Sequence, residues 1–259
     1  VIHVEAGLRS GDRSMPEEIN RVLTDQISDL LLTTERSAEE NLRREGIDSE
    51  KVHFVGNVMI DTLRYNLSSA VSSVDTINSY LDVKQAVPAH GGYGLLTLHR
   101  PANVDDPDVL ERLLRTLVAL AKDLPLLFPV HPRTRQCIDN AGLSELLADS
   151  QLYLIPPQAY LNMLGLMKDA RLVLTDSGGI QEETTALGVP CITLRENTER
   201  PITVVEGSNT IVGSNPEKIK SCFEEIIQSG GKAGRTPEYW DGRAAERIAE
   251  VISNWLYKT

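Results

Sequence analysis

Asp176-Ser177-Gly178-Gly179-Ile180-Gln181-Glu182-Glu183 follows an apolar tetrapeptide and opens a helical pattern. Two glycines let a ligand approach the backbone, and a helix start offers unpaired N–H groups with partial positive charge. That combination suits a phosphate. A tight turn capped by Ser177 or Asp176 fits the same pattern equally well. It is neither a Walker loop nor a GxGxxG fingerprint, because the lysine and the third glycine are missing. Glu183, one turn into the helix, could accept both hydroxyls of a ribose. His99-Arg100-Pro101-Ala102-Asn103 ends another apolar run and offers a proton-transfer group beside an anion-pairing guanidinium. A lone histidine there is more often a structural feature of a loop, but His131-Pro132-Arg133 repeats the arrangement, and two His-plus-Arg strand ends in one sheet are less readily accidental than one. His3-Val4-Glu5-Ala6-Gly7-Leu8-Arg9-Ser10, with Met15-Pro16-Glu17-Glu18-Ile19-Asn20-Arg21 after it, supplies carboxylates and two arginines. Paired carboxylates can act as acid and base when their surroundings separate their pKa values. Glu18 is assigned to the helix dipole instead. Arg195-Glu196-Asn197-Thr198-Glu199-Arg200-Pro201 either completes an anion site through Arg200 or is a solvated charged loop.

These residues need elements that hold them at strand ends. Leu95–Leu98, Leu126–Val130, Leu152–Ile155, Leu172–Thr175, Cys191–Leu194 and Asn209–Val212 read as short, continuously apolar strands. Helical patterns stand between them, over about Asp108–Lys122, after Pro132, and over Tyr160–Met167, Gly179–Leu187 and Pro216–Gln228. Strand and helix in alternation predict an α/β, doubly wound parallel sheet of the Rossmann type, with ligands beyond the carboxyl ends of its strands. Residues 1–57 read as part of a second Rossmann-like domain, with strands at Val1–Val4, Leu30–Thr34 and Val52–Val55 and helices at about Glu17–Leu31 and Ala38–Glu45. Residues 58–240 then form the nucleotide-binding domain, with a helix and linker over Ser68–Gly92. Residues 241–259 read as an amphipathic helix packing back on the first domain.

Composition sets the outer limits. The 259 residues carry 26 Lys plus Arg against 37 Asp plus Glu, a net charge of −11 that excludes the basic stripe of a nucleic-acid binder. An anionic ligand therefore requires local positive charge, for which Arg9, Arg200 and the helix start at Gly178 are candidates. No apolar run is long enough to span a membrane. Cys137, Cys191 and Cys222 are spaced neither as metal ligands nor as disulfide partners, which fits a reducing cytoplasm. The chain opens inside an apolar run without an initiator Met, so a fragment or a processed product is expected.

Together the motifs resemble the non-hydrolysing UDP-N-acetylglucosamine 2-epimerases, isomerases with the two-domain GT-B fold. The resemblance covers essentially the whole chain. It is carried by His3–Ser10, Pro16–Arg21, Gly56-Asn57 with Asp61, His99-Arg100 with Asn103, Ser177–Glu183 and Thr198–Pro201. It implies reversible conversion of UDP-GlcNAc to UDP-ManNAc for polysaccharide biosynthesis, by loss and re-addition of UDP through 2-acetamidoglucal. No cofactor or metal is implied, and the usual state is a homodimer. By the same resemblance Glu5, Glu17 and His99 are catalytic, with the base and the acid not distinguished between the two carboxylates. Ser177, Gly178, Gly179 and Arg200 would hold the diphosphate, Glu183 the ribose and Met163 the uracil side. His131 would belong to a regulatory substrate site, and Arg9 and Arg21 to the substrate-binding set. Ala102 departs from the family, in which many bacterial members have an acidic residue before the Asn. A glycine-rich loop, a basic residue and a catalytic Asp of the family's first domain would lie upstream of Val1. Other readings stay open: a hydrolysing 2-epimerase, a retaining GT-B glycosyltransferase, or a non-catalytic UDP-binding fragment.

Overall fold

A computed structural model of the chain describes residues 1–81 and 92–258. The first part contains β1 (Ile2–Ala6), α1 (Pro16–Gln26), β2 (Leu30–Thr33), α2 (Arg36–Arg44), β3 (Val52–Phe54), α3 (Val58–Asn66) and α4 (Ser73–Tyr80). Then follow β4 (Gly94–Thr97), α5 (Pro101–Val104), α6 (Pro107–Leu120), β5 (Leu126–Pro129), α7 (Pro132–Asn140), α8 (Ser144–Ala148), β6 (Leu152–Ile155) and α9 (Tyr160–Asp169). The chain continues through β7 (Leu172–Thr175), α10 (Gly178–Leu187), β8 (Cys191–Thr193), α11 (Pro201–Val205), β9 (Asn209–Ile211), α12 (Pro216–Ser229) and α13 (Ala244–Lys258).

All strand pairs among the described residues are parallel. One sheet has the order β1-β2-β3, and the other β6-β5-β4-β7-β8-β9. In the larger sheet the chain order reverses between β4 and β7, which pair from Gly94 opposite Leu172 to Thr97 opposite Thr175. Connections leave these two strands in opposite directions, so a crevice opens beyond their carboxyl ends.

The larger sheet is covered on both faces, which is why its strands are apolar throughout. Leu96, Phe128 and Leu174 face Leu110, Leu113, Leu114 and Leu117 of α6 and the buried side of α12. Leu95, Leu127 and Val173 point the other way, against Tyr93, Leu164 and Met167. Each such leucine, fully withdrawn from water, contributes on the order of 2 kcal/mol. In the smaller sheet Leu31 packs against Leu42 of α2. The opposite face, Leu30, Leu32 and Val55, is covered by Ile248, Val251, Ile252 and Trp255 of α13.

Two chain crossings join the units. Gly56 follows β3 with φ 91°, and a Cβ there would lie 2.3 Å from the Tyr239 carbonyl, so glycine is required. Beside it Phe54 stacks on Tyr239 with centroids 4.8 Å apart. The guanidinium of Arg36 lies over Phe54, and that of Arg247 over Tyr239.

Differences from the sequence expectations lie mainly at ends and in short helices. α1 stops at Gln26 rather than Leu31, because Ser28 Oγ donates back to the Thr24 carbonyl and Asp29 N donates to Val1, which launches β2. Helices α3, α5, α8 and α11 are additional. Within Ser68–Gly92 the described part holds α4, and the rest of that expected linker lies outside the described residues. No described helix is long and apolar enough to cross a membrane. The three cysteines are free thiols, and burial pushes Cys191 up to about 12, leaving it unreactive.

Candidate active site

At the switch point, β4 ends just before His99 and β7 just before Asp176. Asp176 is fully buried and accepts from His99 N at 3.0 Å, Arg100 N at 2.9 Å and Asn103 Nδ2 at 3.1 Å. His99 Nδ1 sits 3.0 Å from its other oxygen. Burial alone would raise the Asp176 pKa, but the His99 contact and the two backbone donors outweigh it and hold the group below its ordinary value. Facing an anion, Nδ1 is the nitrogen that carries the proton in the neutral ring, which leaves Nε2 as its acceptor on a side chain that is 42% exposed.

Asp176 therefore does not cap α10. Ser177 stands at the cap position with no side-chain hydrogen bond, so the first N–H groups of α10 remain uncapped by a side chain. A Cβ on Gly178 would come within 2.7 Å of Glu199 Oε1, so a side chain there would have to displace the Glu199 carboxylate from the helix start. Glu199 is held by Arg195 at 2.9 Å and lies 3.8 Å from Arg100. One turn along α10, Glu183 is buried and accepts from Tyr160 Oη at 3.1 Å. Burial raises its pKa, and burial together with Glu183 raises that of Tyr160. Met163, on the same helix as Tyr160, is half-buried against the core.

The smaller sheet supplies the facing wall. Glu5 adopts φ 67°, a conformation that costs a non-glycine residue about 1–3 kcal/mol. There the pairing of β1 with β2 shifts register between Val4 and Ala6. The Glu5 carboxylate lies 3.5 Å from Arg200 Nη2. Arg200 is only 12% exposed, and its Nε is 3.1 Å from Glu182 Oε2, close enough for an ion pair but not aligned for a hydrogen bond. Burial would lower the Arg200 pKa, but Glu182, Glu5, Glu199 and Glu35 raise it further, so it remains cationic. Glu182 in turn accepts from Asn57 Nδ2 at 2.7 Å, bridging the two units. Glu17, at the start of α1, is 56% exposed and stands 3.5 Å from Arg100 Nη1. Glu17, Arg100, Asn103, Arg195 and Glu196 line a cavity of about 660 Å³, a size suited to a small-molecule ligand.

Glu5, Glu17, His99, Gly178 and Arg200 are thus joined in one network through Asp176, Arg100, Glu199 and Glu182; Ser177, Gly179 and Glu183 belong to it through α10, and Met163 only through its helix neighbour Tyr160, which bonds Glu183. Three expected residues do not join it. Arg9 is spent on Asp25 at 2.6 Å and on Glu45 at 2.7 Å, within the smaller unit. Arg21 pairs with Glu18 at 3.0 Å. Glu18 stands in the first turn of α1, as the dipole reading expects, and its oxygens also accept from Ser10 N at 3.0 Å and Gly11 N at 2.9 Å, stapling the loop after β1. His131 caps α7 by accepting from Arg133 N at 3.3 Å. Asp61, part of the recognised pattern, accepts from Ala244 N at 3.1 Å and Ala245 N at 2.7 Å, so it caps α13. Glu182 and Asp25 escaped the sequence reading. Each sits in a helix beside an equally polar neighbour, and only tertiary contacts single it out. Among the described residues no group of three His, Cys, Asp or Glu is gathered as a metal would need.

Comparison with known proteins gives this geometry its context. A family model described as UDP-N-acetylglucosamine 2-epimerase matches residues 1–253. A UDP-N-acetylglucosamine 2-epimerase from Methanococcus maripaludis is 42% identical over 253 residues, 96% of this chain and 68% of its own length. The crystal structure of the Methanocaldococcus jannaschii UDP-GlcNAc 2-epimerase, in complex with UDP-GlcNAc and UDP, superimposes with TM-score 0.87 at 42% identity, covering 98% of this chain and 69% of that one. A UDP-2,3-diacetamido-2,3-dideoxy-D-glucuronate 2-epimerase from Pseudomonas aeruginosa is 37% identical over 98% of this chain and 68% of its own. The expected GT-B architecture with parallel Rossmann-like sheets is the observed one.

Proposed function

The chain belongs to the UDP-N-acetylglucosamine 2-epimerase family, and from that premise we propose that its cleft inverts C2 of UDP-GlcNAc to give UDP-ManNAc. The observation that carries this reading is the meeting of two unlike walls. One offers the carboxylates Glu5 and Glu17; the other offers His99 and the open start of α10. A carboxylate removes the C2 proton while UDP departs, leaving 2-acetamidoglucal. Return of a proton on the opposite face and re-addition of UDP complete the inversion. The sequence is redox-neutral: one proton leaves and one returns, and the C1–O bond breaks and re-forms.

In this proposal the N–H groups at Ser177, Gly178 and Gly179 take the diphosphate as a helix N-terminus takes any anion. Arg200 neutralises the charge that UDP carries away, and His99, fixed by Asp176, offers Nε2 to the leaving phosphate. Glu183 receives the ribose hydroxyls, and Met163 flanks the uracil. Arg9 and Arg21 support the β1 loop rather than touch substrate. His131 belongs to this reading only as part of a second, regulatory substrate site. A homodimer in the cytoplasm completes it.

The test is turnover of UDP-GlcNAc in D2O by the protein that carries this chain. UDP-ManNAc with deuterium at C2 is expected. Glu5→Gln, Glu17→Gln or His99→Asn should each cut the rate by at least about a hundredfold, the scale of general acid–base assistance. Glu183→Ala should mainly weaken UDP binding in calorimetry. Abundant free ManNAc would instead identify a hydrolysing enzyme. Faster turnover of a 2,3-diacetamido sugar nucleotide would redirect the substrate toward that of the Pseudomonas relative.

A further inference from the structure

Glu5 is held in an uncommon conformation, and the restraint comes from one side chain that is itself outside the cleft. Asp25 lies in the last turn of α1 and is fully buried. Its Oδ1 is 2.5 Å from His3 Nδ1. Its Oδ2 accepts from Gly7 N at 3.1 Å and from Arg9 Nη2 at 2.6 Å. His3 and Gly7 are the residues two before and two after Glu5, so a single carboxylate grips β1 on both sides of the bulge. In a regular strand Glu5 would share a face with His3 and Gly7. The register shift and the φ of 67° break that alternation at Glu5 itself, and its carboxylate ends beside Arg200. Arg9 and Glu45 tie the same clamp to the end of α2, which stops it from drifting.

We propose that Asp25 is a positioning residue that maintains the bulge and thereby aims the Glu5 carboxylate into the cleft. This rests on the assignment of Glu5 as a catalytic carboxylate. A displacement of about 1 Å at a reacting group can cost on the order of a hundredfold in rate. Substrate anchoring through α10 lies on the other unit and does not depend on the clamp.

The experiment is a double-mutant cycle on the protein carrying this chain. Asp25→Asn removes the anion with little change of shape. It should lower kcat about 10- to 100-fold, while UDP binding by calorimetry changes less than about twofold. In a Glu5→Gln background the same substitution should cost less than about threefold, because a residue acting through Glu5 has nothing left to aim. A loss of the same size in both backgrounds, or an unchanged kcat in a folded Asp25→Asn protein, would overturn the proposal. If Asp25→Asn does not fold, His3→Ala removes one arm and keeps the Arg9 ion pair. It should show the same kcat-selective loss, with recovery in His3→Asn, whose amide can reach the carboxylate; equal kcat for His3→Ala and wild type would overturn the proposal. Glu5→Gln is measured first by itself. Full turnover there would remove the catalytic role of Glu5 and overturn both readings, whereas a dead Glu5→Gln beside a fully active Asp25→Asn would overturn the clamp alone.

Discussion

Asp176 and Glu182 are both buried carboxylates of the cleft, yet burial loses at one and wins at the other. At Asp176 the His99 contact and backbone donors hold the carboxylate anionic below its ordinary pKa. The stability it confers is present above about pH 4 and is lost as pH falls through its native value. Glu182 goes the other way. Burial pushes it up to about 7, against the opposing pull of Arg200 and the Asn57 hydrogen bond. Between the ordinary glutamate value of about 4.3 and that figure, the native state holds a proton that the unfolded chain has released. Rising pH therefore erodes stability across this window, by up to about 1.4 kcal/mol per pH unit, and the loss levels off above the native value. Glu182→Gln, which keeps an acceptor for Asn57, should abolish the decline. Urea midpoints measured from about pH 4.5 to 8 should fall for the wild type and stay flatter for the variant. Parallel curves would show that Glu182 is ionised throughout, as a partner of Arg200.

At the scale of elements, α3 and α13 are fastened end to side by Asp61, whose two oxygens take the first N–H groups of α13. Asp61→Ala should cost about 1–2 kcal/mol, as loss of a helix cap does, and Asp61→Asn distinctly less. Because Trp255 of α13 packs on the smaller sheet, the alanine variant should also show red-shifted tryptophan emission before the main unfolding transition. Coincident transitions would mean that α13 is held without its cap. This cap also explains which parts of the fold could be read from residues alone. Leu152–Ile155 and Leu172–Thr175 are strands with the bounds expected, because uninterrupted apolar tetrapeptides between polar residues have few alternatives. Leu110, Leu113, Leu114 and Leu117 carry their helix in their spacing. α3 was not visible, since it buries only Ile60 and Leu63 and owes its place to contacts with α10 and the distant α13. The end of α1 was overrun because Ile27, Leu30 and Leu31 continue a helical apolar rhythm, although the last two belong to a buried strand. The site follows the same division. The strand-end positions of His99, Glu5 and Ser177–Gly179 were legible, because short apolar runs mark where parallel strands stop. The internal duties of Arg9 and Arg21 were not, because Asp25, Glu45 and Glu18 reach them only through tertiary packing.

For the molecule as a whole, a net charge of −11 repels any nucleotide, so binding depends on how firmly the arginines of the cleft are already engaged. Each is paired with a carboxylate: Arg100 with Glu17, Arg195 with Glu199, and Arg200 with Glu5 and Glu182. Two of these pairs join the units, Arg100 to Glu17 and Arg200 to Glu5, as does the hydrogen bond from Asn57 to Glu182. If the proposed substrate reaches these arginines, its diphosphate competes with these carboxylates for them. The contest is easiest at Glu17, which is more than half exposed and at 3.5 Å makes no tight contact. Exposed pairs of this kind are worth about 0.2–1 kcal/mol. Neutralising Glu17 should therefore free Arg100 and tighten UDP binding by about 1.4- to 5-fold, the same energy expressed as an affinity. The same Glu17→Gln change is expected to suppress turnover, so affinity and rate should move in opposite directions. Calorimetric titration of UDP into wild type and Glu17→Gln measures the first, and the D2O assay the second. Weaker UDP binding in the variant would mean that Glu17 orders Arg100 for the nucleotide instead of competing for it.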